Sequence, residues 1–143
     1  MKLDTLRFGE VEVDDNLIFD FVMPVIGFDS LSKFVIIDSS KEALFKWLQS
    51  TEDPALAFPI ISVAGLDYDY SVELSDNVVE TLGIESAEDI LIMNITSIPQ
   101  ENPHGTTINL LAPLVFNLKN QKAAQIVLSG SGYDISYPMF KKV

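Results

Sequence analysis

The sequence of 143 residues contains no cysteine, one histidine and no long apolar run. The absence of cysteine excludes disulfide bonds, thiolate zinc sites and a cysteine nucleophile. His104 alone cannot build a histidine-rich metal site, and nothing in the sequence indicates a Ser-His-Asp triad around it. No apolar run approaches the ~20 residues of a membrane-spanning helix, and the N-terminus lacks the apolar stretch of a signal peptide. We therefore expect a cytoplasmic protein with no metal, no cofactor and no membrane contact.

Basic residues are scarce as well, and their distribution is uneven. The chain has 21 Asp and Glu against 9 Lys and Arg, which gives a formal net charge of −12. Residues 47–118 contain eleven acidic residues and no Lys or Arg. Because Lys and Arg supply most of the attraction to phosphates, this composition argues against direct nucleic-acid binding. The acidic stretch is either a solvated face that aids solubility or a docking surface for a basic partner.

The apolar content is high enough for a folded domain. Hydrophobic residues make up 48% of the chain, whereas disordered acidic tails combine high charge with low hydrophobicity. The length indicates a single domain over residues 1–143. Eight or so short segments rich in β-branched and aromatic residues, separated by turns, predict a mostly β protein. We expect a compact antiparallel barrel or sandwich with one or two short helices.

Local signals add detail to this prediction. Residues 8–13 and 17–22 read as two strands joined by a turn at residues 14–16, which predicts a hairpin. Pro59 interrupts an apolar segment, so we expect it at a sheet edge or a bulge. Pro138 likewise predicts edge character for the last strand. The clearest helix begins after Ser75, a good N-cap, and ends at Gly83.

No residue pattern indicates an enzyme. The acidic run at residues 67–70 lacks the ligand register of an EF-hand loop, so we expect exposed loop carboxylates there. Residues 129–132 lack the spacing of a nucleophile elbow and read as a hairpin turn. His104, between proline and glycine, is expected in an exposed loop. These residues alone predict an acidic β domain that acts as a binding module.

Two sequence motifs carry a family resemblance. Residues 47–54, W-L-Q-S-T-E-D-P, and residues 56–58, L-A-F, match the pattern L-Q-S-x-E-D-P…L-A-F. Residues 107–117 match N-L-x-A-P-[IVL]-[VI]-x-N. Weaker matches in the same order extend the similarity over residues 8–138. The sequence resembles the FliW family of flagellar assembly factors, whose fold is a compact, mostly antiparallel β-barrel-like domain.

The resemblance implies a non-enzymatic regulator. Proteins of this family bind CsrA, a small basic RNA-binding dimer that represses translation of flagellin mRNA, and they relieve that repression. They also bind flagellin, so flagellin level is coupled to its own translation. We expect the same two partners for this chain, which is expected to be a monomer when free. One alternative is a chaperone that shields the terminal helix of flagellin, and another is a small-molecule-binding barrel.

The acidic stretch suggests which residues contact the partner. An acidic module docked beside the RNA surface of CsrA would attract the repressor and repel RNA. We expect Asp67, Asp69, Glu73 and Asp76 to supply much of this negative field.

The second family motif contributes three further candidates, Asn109, Leu110 and Pro113. Asparagine is depleted in strands, so Asn109 needs an explanation. One interpretation is structural, with the asparagine holding the backbone of a bulge near Pro113. The other is an exposed edge that accepts a partner segment by strand addition.

Overall fold

The computed structural model describes residues 1–38, 45–63 and 69–140. The elements, in chain order, are β1 Lys2–Thr5, β2 Gly9–Glu12, β3 Ile18–Met23, β4 Lys33–Ile37, β5 Lys46–Ser50, β6 Ala57–Ile61, α1 Asp76–Leu82, β7 Ile90–Ser97, β8 Thr107–Ile108, β9 Leu114–Asn117, β10 Lys122–Gln125 and β11 Tyr137–Pro138.

Seven of these strands close into a barrel. Their order is β7, β6, β5, β4, β3, β10, β9, and β9 pairs back to β7. Among the described pairings, β3 and β10 run parallel and the others are antiparallel. The predicted mostly β, antiparallel barrel-like fold with a short helix is therefore confirmed, with one parallel pair that the sequence did not indicate. Closure leaves the barrel strands without long free edges.

The barrel interior is packed with large apolar side chains. Phe19, Phe34 and Phe116 are fully buried, and the rings of Phe19 and Phe116 meet edge to face with centroids 4.8 Å apart. β3 shows how the sequence directs this packing, because Phe19 and Phe21 point inward while Asp20 points to solvent. Removing one such side chain from water contributes about 1.5–3 kcal/mol. These aromatic side chains fill the interior of the barrel and form its hydrophobic core.

The predicted N-terminal hairpin is wrong. β2 pairs with β1, with Lys2 opposite Glu12, while β3 pairs with β4 and β10. Residues 14–16 do not form the turn of a hairpin, because the Asp14 carboxylate accepts the Asn16 N–H and caps a short 3₁₀ turn instead. The β1–β2 hairpin lies against the outer face of the barrel, where its apolar side chains cover Val35.

The two prolines in strands have different outcomes. Pro59 lies in β6, between β5 and β7, and is not at a sheet edge. It is tolerated because the ladder with β7 involves only Ile60 and Ile61. The Pro59 carbonyl accepts a hydrogen bond of 3.1 Å from the Thr96 hydroxyl. Pro138 lies in β11, the outermost strand of the sheet, so its predicted edge position is confirmed.

The predicted helix is confirmed at both ends. The Ser75 hydroxyl accepts the Val78 N–H, and Gly83 ends α1 with φ +64°. Val78 and Leu82 are buried against Val115, which belongs to β9. α1 has only seven residues, too few to persist alone, so this packing on the outside of the barrel holds it in place.

Candidate functional site

The acidic segment, residues 69–76, leads into α1 and is exposed to solvent. Asp69, Glu73 and Asp76 are exposed, and Asp67 lies outside the described residues. The salt bridges found in the described ranges connect Glu10, Glu12, Asp15 and Glu85 to cations. Within those ranges, none reaches the acidic segment. Among the described residues, no cation therefore compensates its negative charge at short range.

Alternating side chains fix the acidic segment against the barrel. Val72 and Leu74 pack into the apolar cluster beneath α1, whereas Ser71, Glu73 and Ser75 face outward. This period of two is that of an extended strand. The local sequence S-V-E-L-S therefore presents its carboxylate on the solvent side.

Two tyrosines anchor the start of this segment. The Tyr70 hydroxyl donates to the Leu110 carbonyl at 2.7 Å and accepts from the Asn94 side chain at 3.1 Å. The Tyr133 hydroxyl accepts the Ser71 N–H at 2.8 Å, and the two tyrosine rings meet edge to face at 4.8 Å. Burial raises the pKa of Tyr70. The hydroxyl therefore stays protonated and keeps donating to the Leu110 carbonyl.

A groove of about 560 Å³ lies between the acidic segment and the chain after β10. We call it the acidic groove. One wall includes Glu73 and Val78, and the opposite wall includes Val127 and Tyr133. Val127 is 51% exposed. The site thus combines a carboxylate, several hydroxyl groups and apolar side chains, which is the chemistry of a peptide-binding surface.

The second set of predicted residues has a structural role. The Asn109 side chain accepts the Ala112 N–H at 2.9 Å, and the Asn109 carbonyl accepts from Asn94 at 2.8 Å. The carbonyls of Leu110 and Ala112 are also bonded, to Tyr70 and Gln125.

Because Leu110 and Pro113 are buried, this geometry supports the structural interpretation over an open edge at residues 109–113. Partner contact by Asn109, Leu110 and Pro113 stays a prediction.

The first family motif builds a turn. Gln49 is fully buried, and its side-chain amide donates to the carbonyls of Ser50, Asp53 and Pro54. Glu52 accepts the N–H groups of Ser32 and Lys33. The motif residues therefore serve local backbone geometry.

The structure also shows a second groove that the sequence did not indicate. It measures about 830 Å³ and is lined by residues of two segments, Asn102, His104, Gly105, Thr106, Thr107, Pro138 and Phe140. We call it the apolar groove. Its edge is formed by the His104 and Phe140 rings, 5.4 Å apart, and Phe140 is 44% exposed. His104 is exposed, as expected, but it lies in a short 3₁₀ turn, Pro103–Gly105, rather than in an irregular loop. No motif could have revealed this groove, because it depends on β8 and β11 pairing across the chain.

The described residues contain neither a metal-ligand cluster nor a membrane-spanning helix. Within residues 1–38, 45–63 and 69–140, no group of three or more His, Asp or Glu side chains is arranged to hold a metal ion. None of the helices in those ranges has the length and apolar character to cross a membrane.

The geometry defines a class of protein: a small closed β-barrel with an acidic outer face and two surface grooves. Comparison with known proteins gives the family. The family model described as FliW protein matches residues 2–139. The chain belongs to the FliW family of flagellar assembly factors.

Relatives and a solved structure agree with this assignment. The flagellar assembly factor FliW of Pseudothermotoga lettingae is 39% identical over 131 residues, covering 92% of this chain and 83% of that protein. The FliW of Alkaliphilus metalliredigens is 39% identical over 144 residues, covering 100% and 88%. The crystal structure of a flagellar assembly factor FliW superposes with a TM-score of 0.89 at 29% identity, covering 99% of both chains.

Proposed function

We propose that this flagellar assembly factor is a cytoplasmic, non-enzymatic antagonist of CsrA that also binds flagellin. The free protein is a monomer, and the two partners exchange on it. When flagellin is scarce, the protein is available to CsrA and relieves repression of flagellin mRNA. When flagellin accumulates, it occupies the protein and CsrA represses again.

The observation that carries this proposal is the uncompensated acidic segment. Residues 47–118 contain no Lys or Arg, and Asp69, Glu73 and Asp76 are exposed without a salt bridge in the described part of the chain. A basic dimer that grips RNA is attracted to such a surface, and its association is accelerated. Once docked, the same carboxylates add negative potential beside the RNA site. RNA binding is then weakened without the RNA site itself being filled.

The proposal is tested with purified components. The protein is mixed with CsrA, with flagellin, and with both, and each mixture is separated by size exclusion at low and high salt. We expect a complex with each partner alone, exchange when both are present, and a CsrA complex that weakens as salt rises. Absence of any complex with either partner contradicts the proposal.

A second candidate, a chaperone for flagellin, is favoured by the apolar groove. An exposed apolar surface such as this one can take an amphipathic helix. In the size-exclusion experiment, a chaperone forms a salt-resistant complex with flagellin and none with CsrA. The third alternative, a small-molecule-binding barrel, requires an enclosed site, and the barrel interior is filled by side chains such as Phe34 and Phe116.

A further inference from the structure

One wall of the acidic groove is an extended chain with unpaired backbone groups. Along residues 71–75, the Ser71 N–H is bonded to the Tyr133 hydroxyl and the Ser75 carbonyl to Val79. Within the described ranges, the N–H groups of Val72, Glu73 and Leu74 make no hydrogen bond to the protein. This wall has the shape of a strand but pairs with no neighbour there.

The opposite wall continues β10, and no strand among the described residues pairs with its outer edge. The N–H groups of Ile126 and Leu128 donate to the carbonyls of Pro113 and Leu111, at 3.1 and 2.8 Å. Because N–H groups alternate in direction along an extended chain, the N–H and carbonyl of Val127 point away from residues 111–113. β3 pairs with β10 only as far as Ala124. In the described part of the chain, Val127 is therefore left without a backbone partner.

The groove between these walls has the size of a short strand. A strand residue occupies about 3.3 Å along the chain, about 4.8 Å across the sheet and about 10 Å between faces, which is roughly 160 Å³. The groove volume of about 560 Å³ thus holds about three to four residues in extended conformation. A single side chain would leave most of this space empty.

The charge and polarity of the walls specify the side chains of an occupant. Glu73 lines the groove, and Asp69 and Asp76 lie at either end of the same segment, exposed. Lysine or arginine is complementary to this wall. Val78 and Val127 also line the groove, so the other face of an occupant needs apolar side chains. An extended segment with alternating basic and apolar residues satisfies both requirements.

We propose that the acidic groove accepts a short extended segment of a partner protein as an added strand. Because the Ser71 N–H points across the groove to Tyr133, the Glu73 backbone, two residues on, points the same way. The backbone of the added strand bonds to Val127 and Glu73, its basic side chains face the Glu73 carboxylate, and its apolar side chains face Val78 and Val127. The inference rests on the proposed function, because the segment is offered by the basic partner protein. Strand addition is thus proposed at the acidic groove and not at residues 109–113, where the backbone is already hydrogen-bonded.

The first test uses a fluorescein-labelled hexapeptide of alternating lysine and valine. One control replaces lysine by glutamate, and a second carries N-methyl groups on alternate backbone amides. We expect the lysine peptide to bind, the glutamate peptide not to bind, and N-methylation to weaken binding about tenfold through lost backbone hydrogen bonds. Saturating peptide should slow hydrogen exchange of the Val127 amide about tenfold or more, measured by NMR.

Matched variants locate the site. Glu73→Lys should weaken binding of the lysine peptide about tenfold. Glu101→Lys makes the same charge change at an exposed residue that does not line the groove, and it should alter binding less than about twofold. Val127→Pro removes the free N–H and should abolish binding in a variant whose thermal unfolding is unchanged. If that variant does not fold, the N-methylated peptide and the Val127 exchange rate decide the question. The inference is wrong if the lysine peptide does not bind. It is also wrong if the N-methylated peptide binds as tightly as the unmethylated one, or if the peptide leaves the hydrogen-exchange rate of the Val127 amide unchanged.

A competition experiment distinguishes a failure of this inference from a failure of the proposed function. Unlabelled lysine peptide is added to the preformed complex with CsrA. We expect the peptide to displace CsrA, since both would use the acidic groove. If CsrA binds but the peptide neither competes nor binds, the inference is wrong and the proposed function stands. If neither CsrA nor flagellin forms a complex, the proposed function fails.

Discussion

At the scale of single residues, Glu52 shows how a motif side chain joins two segments that are distant in the sequence. Its carboxylate accepts the Ser32 N–H at 2.9 Å and the Lys33 N–H at 2.8 Å. It thereby ties the turn after β5 to the beginning of β4. The hydrogen bonds from the Lys33 and Ser32 backbone hold the pKa of Glu52 below its ordinary value of 4.5. The ionised form is thus the one that the fold prefers.

This preference gives a pH dependence with a defined sign. Because the folded-state pKa is lowered, the stabilisation from Glu52 is complete above 4.5, the ordinary value. It is lost as pH falls through the folded-state value. Wild type should therefore keep its advantage over Glu52→Gln above pH 4.5 and lose it as the pH falls below that value, measured by urea unfolding. Glu101→Gln, at an exposed position, serves as the control. A gap between wild type and Glu52→Gln that stays constant with pH contradicts the assignment.

At the scale of elements, α1 depends on its two ends. Ser75 satisfies an N–H of the first turn, and Gly83 allows the left-handed conformation that ends the helix. The Asn120 side chain adds a second stop, because its amide donates to the Leu82 carbonyl at 2.8 Å. Since α1 covers the outer face of β9 and β10 and follows the acidic segment, these caps also fix the position of the acidic groove.

Two glycines with positive φ offer a matched pair of substitutions: Gly83 at the C-terminal end of α1 and Gly130 in a turn after β10. Gly83 has φ +64°, and a Cβ there would lie 3.0 Å from the Asn120 amide nitrogen. Gly130 has φ +79° with nothing within 4 Å of its Cβ position. Left-handed strain alone costs about 1–2 kcal/mol, so Gly130→Ala should lose about that much free energy of unfolding. Gly83→Ala should lose more, because it also displaces Asn120. Equal losses in urea titrations would show that the Asn120 contact does not contribute.

At the scale of the whole molecule, charge is divided between regions. In the described residues, Lys119 pairs with Glu85 at 2.7 Å, and Lys2 lies 3.9 Å from Glu10. Both pairs are exposed and contribute little to stability. The acidic segment has no comparable cation within the described ranges.

Charge reversal tests whether position or total charge matters. Asp69→Lys with Glu73→Lys should slow association with CsrA about tenfold at low salt and reduce its salt dependence, since steering is electrostatic. Glu88→Lys with Glu101→Lys changes the net charge equally and should slow association much less. Stopped-flow measurements at two salt concentrations compare the pairs. If both pairs slow association to the same extent, net charge alone controls encounter and the acidic segment has no special role.

The sequence predicted features that depend on neighbours along the chain. Ser75 and Gly83 are local signals, and they located α1 correctly. Features that depend on distant contacts were missed. β1 is a short polar segment, K-L-D-T, and it becomes a strand only through β2 and Val35. The single-domain organisation over residues 1–143 stays a prediction.

The candidate site shows the same difference between features set by the local sequence and features set by distant contacts. The sequence indicates Asp69, Glu73 and Asp76 because acidic residues can be identified without knowledge of the fold. It does not indicate the free edge at Val127, because an unpaired backbone group becomes visible only when every strand has its neighbours. From the sequence alone, Asn109 has two interpretations for the same reason, since Asn94, which donates to the Asn109 carbonyl, lies on β7.

The parallel pair of β3 and β10 has a consequence for biosynthesis. Lys122 lies opposite Asp20, so the barrel is closed by two strands that are far apart in the sequence. During translation, β3 at Ile18–Met23 is made well before β10 at Lys122–Gln125. Closing so long a loop is entropically costly, and folding dominated by such pairings is slow. The barrel therefore acquires its closed form only after β10 has been made, which delays the appearance of newly folded molecules.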